Sequence, residues 1–155
     1  MRATVLSLML FCVAGLAAAD MRVMRAAKID APPAIDGRLD DAVWNDASRV
    51  WNLVLPGGAA PREKTEAFLV LAGETLYIGM RCHDSEMAKL KASVTDHDGP
   101  VYGDDCVEFL LDTRHDQRSY HHLVVNALGT RFDAGPGRDI SWNHAWEARA
   151  FRGDT

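Results

Sequence analysis

The residues with the most chemistry to offer lie in YGDDCVEFLLDT, residues 102–113. An aromatic ring opens the stretch, two carboxylates follow, and the remainder alternates as a strand does. With a side-chain period of two, Val107, Phe109 and Leu111 fall on one face. Cys106, Glu108, Leu110 and Asp112 fall on the other. An acid in mid-strand with Tyr102 six residues upstream describes a polar, ligand-facing surface over an apolar core.

Catalytic chemistry finds little support. Glu108 and Asp112 share a face, but at strand rise their Cα atoms stand about 13 Å apart, which is loose for the paired carboxylates of a retaining glycosidase. GxSxG, HExxH, CxxC and phosphate-loop motifs are all missing from the sequence. The chain therefore reads as a binding domain and not an enzyme. His121 and His122 resemble a metal pair, yet adjacent strand residues point to opposite faces and cannot share one ion. DHDG at residues 96–99 resembles the start of a calcium loop. It departs from the EF-hand pattern, because the glycine comes two places early and Pro100 follows. A calcium site of another kind stays open, with Asp84, Asp104, Asp105 and Asp112 as spare oxygen ligands nearby.

The elements that must position these groups read as short strands between turn signals. The 155 residues allow one domain plus a leader. Residues 1–19 have a basic start at Arg2, an apolar run and Ala17-Ala18-Ala19 before Asp20, the pattern of a secretory signal peptide. The domain then covers residues 20–155, and its location is secreted or periplasmic. With 17 basic against 22 acidic residues the net charge is −5. No basic stripe is present, which argues against nucleic acid and anionic membrane as partners. Export permits disulfides. If the strands carrying Cys82 and Cys106 pair as a hairpin, these two could form one, with two buried thiols as the alternative.

Strands are expected within residues 20–29, 50–55, 64–71, 75–83, 105–112, 120–127, 131–134 and 146–151, with short helical turns near residues 39–44 and 87–91. Trp44 shares a face with Leu39 and Val43 and is expected in the core. The pattern indicates an all-β, antiparallel sandwich of jelly-roll or immunoglobulin type. The turn signal Gly153-Asp154 leads to the expectation of further strands beyond Thr155.

Three pieces in order, IDGRLDDAVWNDA, TLYIGMRCHDSE and YGDDCVEFLLDTRHDQRSYHHLVVNALGTRFDA, make residues 34–151 resemble family 9 carbohydrate-binding modules and the domains like them. The resemblance implies a β-sandwich that binds sugar without chemistry and is able to tether an attached catalytic domain. Tyr102 stands where the family has a Trp wall of the sugar slot. Glu108 and Asn126 match the residues that hydrogen-bond sugar hydroxyls. Val124 stands where sugar-binding members carry Arg, and His122 on the same face is a candidate to fill part of that role. The second aromatic wall of the family comes later than Thr155. Trp142 is a candidate ligand contact, and Trp146 is expected in the core. The family also implies structural calcium. Two alternatives remain at this stage: a structural or docking sandwich without sugar binding, and a haem-carrying sandwich with axial ligands drawn from Met80, Met87, His83 and His122.

Overall fold

The computed structural model describes residues 24–51, 53–55 and 58–153. The leader assigned to residues 1–19 lies outside these, as does the start of the expected first strand. Seven strands form two sheets, joined by three 3₁₀ turns and with no α-helix among the described residues. None of the described helices is long and apolar enough to cross a membrane. The fold is all-β.

The first sheet holds β1 (Ala27–Ile29), β2 (Ser48–Val50), β3 (Thr65–Ala72) and β4 (Thr75–Cys82). The β3–β4 hairpin turns at Gly73, whose φ of +58° lies in the left-handed region. β4 runs antiparallel along the whole of β3. The other edge of β3 is shared: β2 pairs antiparallel with residues 67–69 and β1 pairs parallel with residues 70–72. The all-antiparallel expectation is corrected here. The chain from β1 to β3 passes through a 3₁₀ turn and β2, a connection long enough for parallel pairing.

The expected strand over residues 50–55 is also displaced. Only Ser48–Val50 finds a partner. Trp51, Leu53, Val54 and Leu55 carry strand-forming side chains but leave the ladder exposed. Leu55 instead accepts from Gly58 N at 2.8 Å and donates to Ala59 O at 2.8 Å.

Alternation along β3 places Glu66, Phe68 and Val70 on one face, all buried. Trp44, in the 3₁₀ turn Ala42–Asn45, covers that face and is only 8% exposed. Its ring meets Phe68 edge-on at 6.5 Å, with Leu39, Val43 and Tyr77 packed around them. Gly79 makes room for this plug, since a Cβ there would come within 2.6 Å of Leu39 Cδ2 and 3.3 Å of the Trp44 ring. At the end of the row Glu66 is buried as a carboxylate among three cations and an imidazole. Lys64 lies at 3.1 Å, His83 at 3.3 Å, Arg49 at 3.6 Å and Arg81 at 4.0 Å. The Lys64 hydrogen bond leads in holding its pKa below the ordinary range, against the opposing effect of burial.

The second sheet is the antiparallel meander β5 (Cys106–Leu111), β6 (His121–Asn126) and β7 (Arg131–Ala134). The expected hairpin at residues 128–130 is present, with Gly129 at φ +82°. Residues 146–151 form no strand. They run instead past two glycines. A Cβ on Gly37 would meet Phe151 N at 2.5 Å, and one on Gly129 would meet Ala150 N at 3.3 Å.

The two cysteines do not form the expected hairpin pair, because β4 and β5 belong to different sheets. Both thiols are free, although both line one hollow of about 270 Å³ together with Met80 and Val107. Burial raises the pKa of each, and Glu108 and Asp105 add to the effect at Cys106.

Trp44→Ala is expected to destabilise the domain by about 3–5 kcal/mol, the range for emptying a buried aromatic site. Urea unfolding checks this, and an unchanged midpoint would contradict the role given to the indole.

Candidate functional site

Register in the second sheet builds the site. Glu108 pairs with Val124, and Val124 pairs with Phe132, so the three share one face in a row across β5, β6 and β7. His122, two residues before Val124, lies on the same face. Its Nε2 is 2.9 Å from Glu108 Oε2, and its ring meets Phe132 edge-on at 5.8 Å. Tyr102 meets the same Phe132 edge-on at 5.8 Å. The result is an open strip in which Phe132 is the shared floor, Tyr102 and His122 are its walls, and Glu108 is its acceptor. Tyr102 is 59% exposed and the Glu108 side chain 49%. Leu110, opposite His122, extends the strip with an exposed apolar group.

Tyr102 is held from both sides. It sits in the 3₁₀ turn Val101–Gly103, where Val101 is fully buried. Asp104 follows, also buried, and its N–H donates back to Val101 O at 3.1 Å. The Asp104 carboxylate accepts from Ser93 N at 2.9 Å, Ser93 Oγ at 3.0 Å, Val94 N at 2.8 Å and Asn126 Nδ2 at 3.0 Å. The Val94 N–H leads in lowering its pKa to about 2, with burial opposing and Ser93 and Asn126 assisting.

Asn126 is therefore removed from the sugar-binding set. It is 2% exposed and all of its capacity is used. Nδ2 donates to Asp104 and to Val94 O at 2.9 Å, while Oδ1 accepts from Leu128 N at 3.0 Å and Thr130 N at 2.9 Å. It closes the hairpin and leaves no group for a ligand. Val124, also fully buried, is apolar floor.

Trp142 does not join the Glu108 strip. Its ring lies 4.5 Å from His121 and stacks on His144 at 5.6 Å. His121 is adjacent to His122 in the strand and so faces away from Glu108. Trp146 joins that opposite side and is half-buried: its Nε1 donates to Asp133 Oδ1 at 3.1 Å, and Arg131 lies 5.3 Å from its ring.

The acids read as spare calcium ligands accept hydrogen bonds from nearby backbone N–H groups. Asp112 accepts from the N–H groups of Arg114, Asp116 and Gln117, with Gln117 leading in depressing its pKa. Asp84 accepts from Glu86 N, and Asp105 Oδ2 from Lys91 N. Among the described residues, the grouping of three metal-ligand side chains is His97, Asp98 and Asp133. The proposed haem ligands are also dispersed. His83 turns to Glu66, whereas Met80 lies opposite Ala67 on the other face of the first sheet, and His122 is in the second.

Phe132 escaped the sequence reading. The signal was present, since the hairpin at residues 128–130 fixes the β6–β7 register, and that register sets Phe132 beside Val124.

Comparison with protein-family models, curated proteins and solved structures found no match to the chain in any of the three.

Two outcomes follow. Asn126→Ala leaves the Asp104 carboxylate and two backbone N–H groups short of a partner, and is expected to cost about 1–3 kcal/mol for each group left unsatisfied, measured by chemical unfolding. Asp104 is an acid with a depressed folded pKa, so its stabilisation is complete above its unfolded value of about 4. It is lost as pH falls toward the folded value of about 2. The unfolding midpoint should drop across that window, and more steeply in the parent than in Asp104→Asn. Equal slopes would show that Asp104 does not carry this dependence.

Proposed function

We propose that the domain binds carbohydrate without catalysis, holding one sugar ring on the strip formed by Tyr102, Phe132, His122 and Glu108. The observation that carries this is the Glu108–His122 pair at 2.9 Å beside an exposed Tyr102, over one shared aromatic floor. A sugar ring has an apolar face of C–H groups and a rim of hydroxyls. Tyr102 offers a flat apolar surface to the first. Glu108 accepts from the second, and the exposed part of His122 adds a donor or acceptor beside it. Such a shallow site suits weak binding, in the micromolar to millimolar range of about −8 to −4 kcal/mol. Weak binding is effective when a module is tethered to an enzyme acting on the same polymer.

The wider setting belongs to the same proposal. The two sheets would pack face to face as a sandwich, with Leu69, Ile78 and Met80 of the first turned toward Val107, Phe109 and Leu111 of the second. The domain would be exported behind its leader and act beside a polysaccharide-processing enzyme. A second reading, a docking surface for protein, draws on Leu110, which is 60% exposed at the edge of the strip.

Titration calorimetry with a panel of mono- and oligosaccharides tests the first reading. Tyr102→Ala should weaken binding more than about tenfold, a loss of about 1.4 kcal/mol. Glu108→Gln should also weaken it, while thermal unfolding stays within a few degrees, since an exposed acid contributes little to stability. Parent-like affinity in both variants would place the sugar elsewhere. No binding by the parent across the panel would favour the docking surface.

A further inference from the structure

We propose a second site, for a divalent first-row transition-metal cation, where His97, Asp98 and Asp133 converge. It lies on the face of the second sheet turned away from the Glu108 strip and does not depend on the sugar reading. One ligand atom from each of the three residues lies within 4.8 Å of the others. His97 Nε2 is 3.3 Å from Asp133 Oδ1, and His97 Nδ1 is 3.2 Å from Asp98 Oδ2.

The independent observation is the state of Asp133. It is fully buried in β7, and one oxygen is served: Oδ1 accepts from Trp146 Nε1 at 3.1 Å and faces His97. Oδ2 is buried and meets no hydrogen-bond donor among the described residues. A buried carboxylate oxygen without a partner is costly, and a cation bound by this carboxylate beside His97 would offset part of that cost. Neighbouring Arg131 does not serve here, because its guanidinium donates to Trp146 O and lies against the Trp146 ring. With a neutral imidazole the cluster carries two negative charges, which a dication balances.

The surroundings fix the ligands as metal sites require. Asp98 N donates to Arg131 O at 3.1 Å, and Asp98 Oδ1 accepts from Asp133 N at 3.2 Å, so the turn at residues 96–99 is tied to β7 on both sides. The Trp146 indole orients the Asp133 carboxylate in the way outer partners orient metal ligands. One imidazole nitrogen with two carboxylates suits zinc, cobalt or manganese. Calcium prefers six to eight oxygens. The DHDG turn thus takes part through His97 and Asp98, with its third ligand 35 residues further along the chain.

Titration of the purified protein with Zn²⁺ tests this, with Ca²⁺ in parallel. The parent should bind one Zn²⁺ and unfold at a higher temperature when it is present, and Ca²⁺ should do neither at equal concentration. His97→Ala should weaken Zn²⁺ binding more than about tenfold and abolish the thermal shift. Asp98→Asn provides the same test should His97→Ala fail to fold. Unchanged Zn²⁺ affinity in both variants overturns the assignment. So does loss of binding in His122→Ala instead, which would move the ion to the Glu108 pair. A parent that shows no thermal shift with Zn²⁺, or an equal one with Ca²⁺, also overturns it.

Discussion

Four hydrogen bonds meet on the carboxylate of Asp104, and the placement of the whole open strip depends on them. They join the loop at Ser93 and Val94, the turn that carries Tyr102, and the end of β6 at Asn126. Asn126 in turn closes the β6–β7 hairpin through Leu128 and Thr130. Two buried polar side chains therefore tie together the loop at residues 93–94, the turn at residues 101–104 and the hairpin at residues 126–130. Buried networks of this kind rigidify when complete and are costly when broken, because every group in them has surrendered water. The depressed pKa of Asp104 is the electrostatic expression of the same contacts.

The second sheet uses its two faces differently. Adjacent residues of one strand serve opposite sides: His121 meets Trp142 while His122 meets Glu108 and Phe132. In β7, Phe132 is floor for the strip and Asp133 is a buried acid on the reverse. The first sheet has one strongly buried face, under Trp44, and a buried carboxylate at its end that Lys64, Arg49, Arg81 and the His83 imidazole surround.

Much of this was legible in the sequence. Period-two alternation located β3 to β7 within a residue or two, and it placed His122 on the face of Val124 and Asn126. Trp44 was readable as a plug from its spacing with Leu39 and Val43. What could not be read depends on distant backbone. Asn126 looked like a ligand group because its saturation comes partly from Val94, 32 residues away. Trp142 looked available because loop residues carry no alternation to assign a face. The run at residues 51–55 has strand propensity, but a strand needs an edge, and beyond Val50, opposite Ala67, β3 offers Glu66 and Thr65 before it ends. Parallel pairing of β1 has no local signature either. The saccharide proposal rests on residue types and register alone, since nothing among known families or structures matched.

The passage of residues 149–151 over Gly37 and Gly129 bears on how the chain tolerates change. Both glycines have positive φ, and each leaves the clearance of a missing methyl group. Arg38 adds a lid, its guanidinium lying 3.7 Å from the Phe151 ring centroid. The turn at Gly37 and the β6–β7 hairpin thus form two halves of a seat for residues 149–151. An alanine at residue 37 would act as a wedge, prising that segment off its bed without touching any ladder in either sheet.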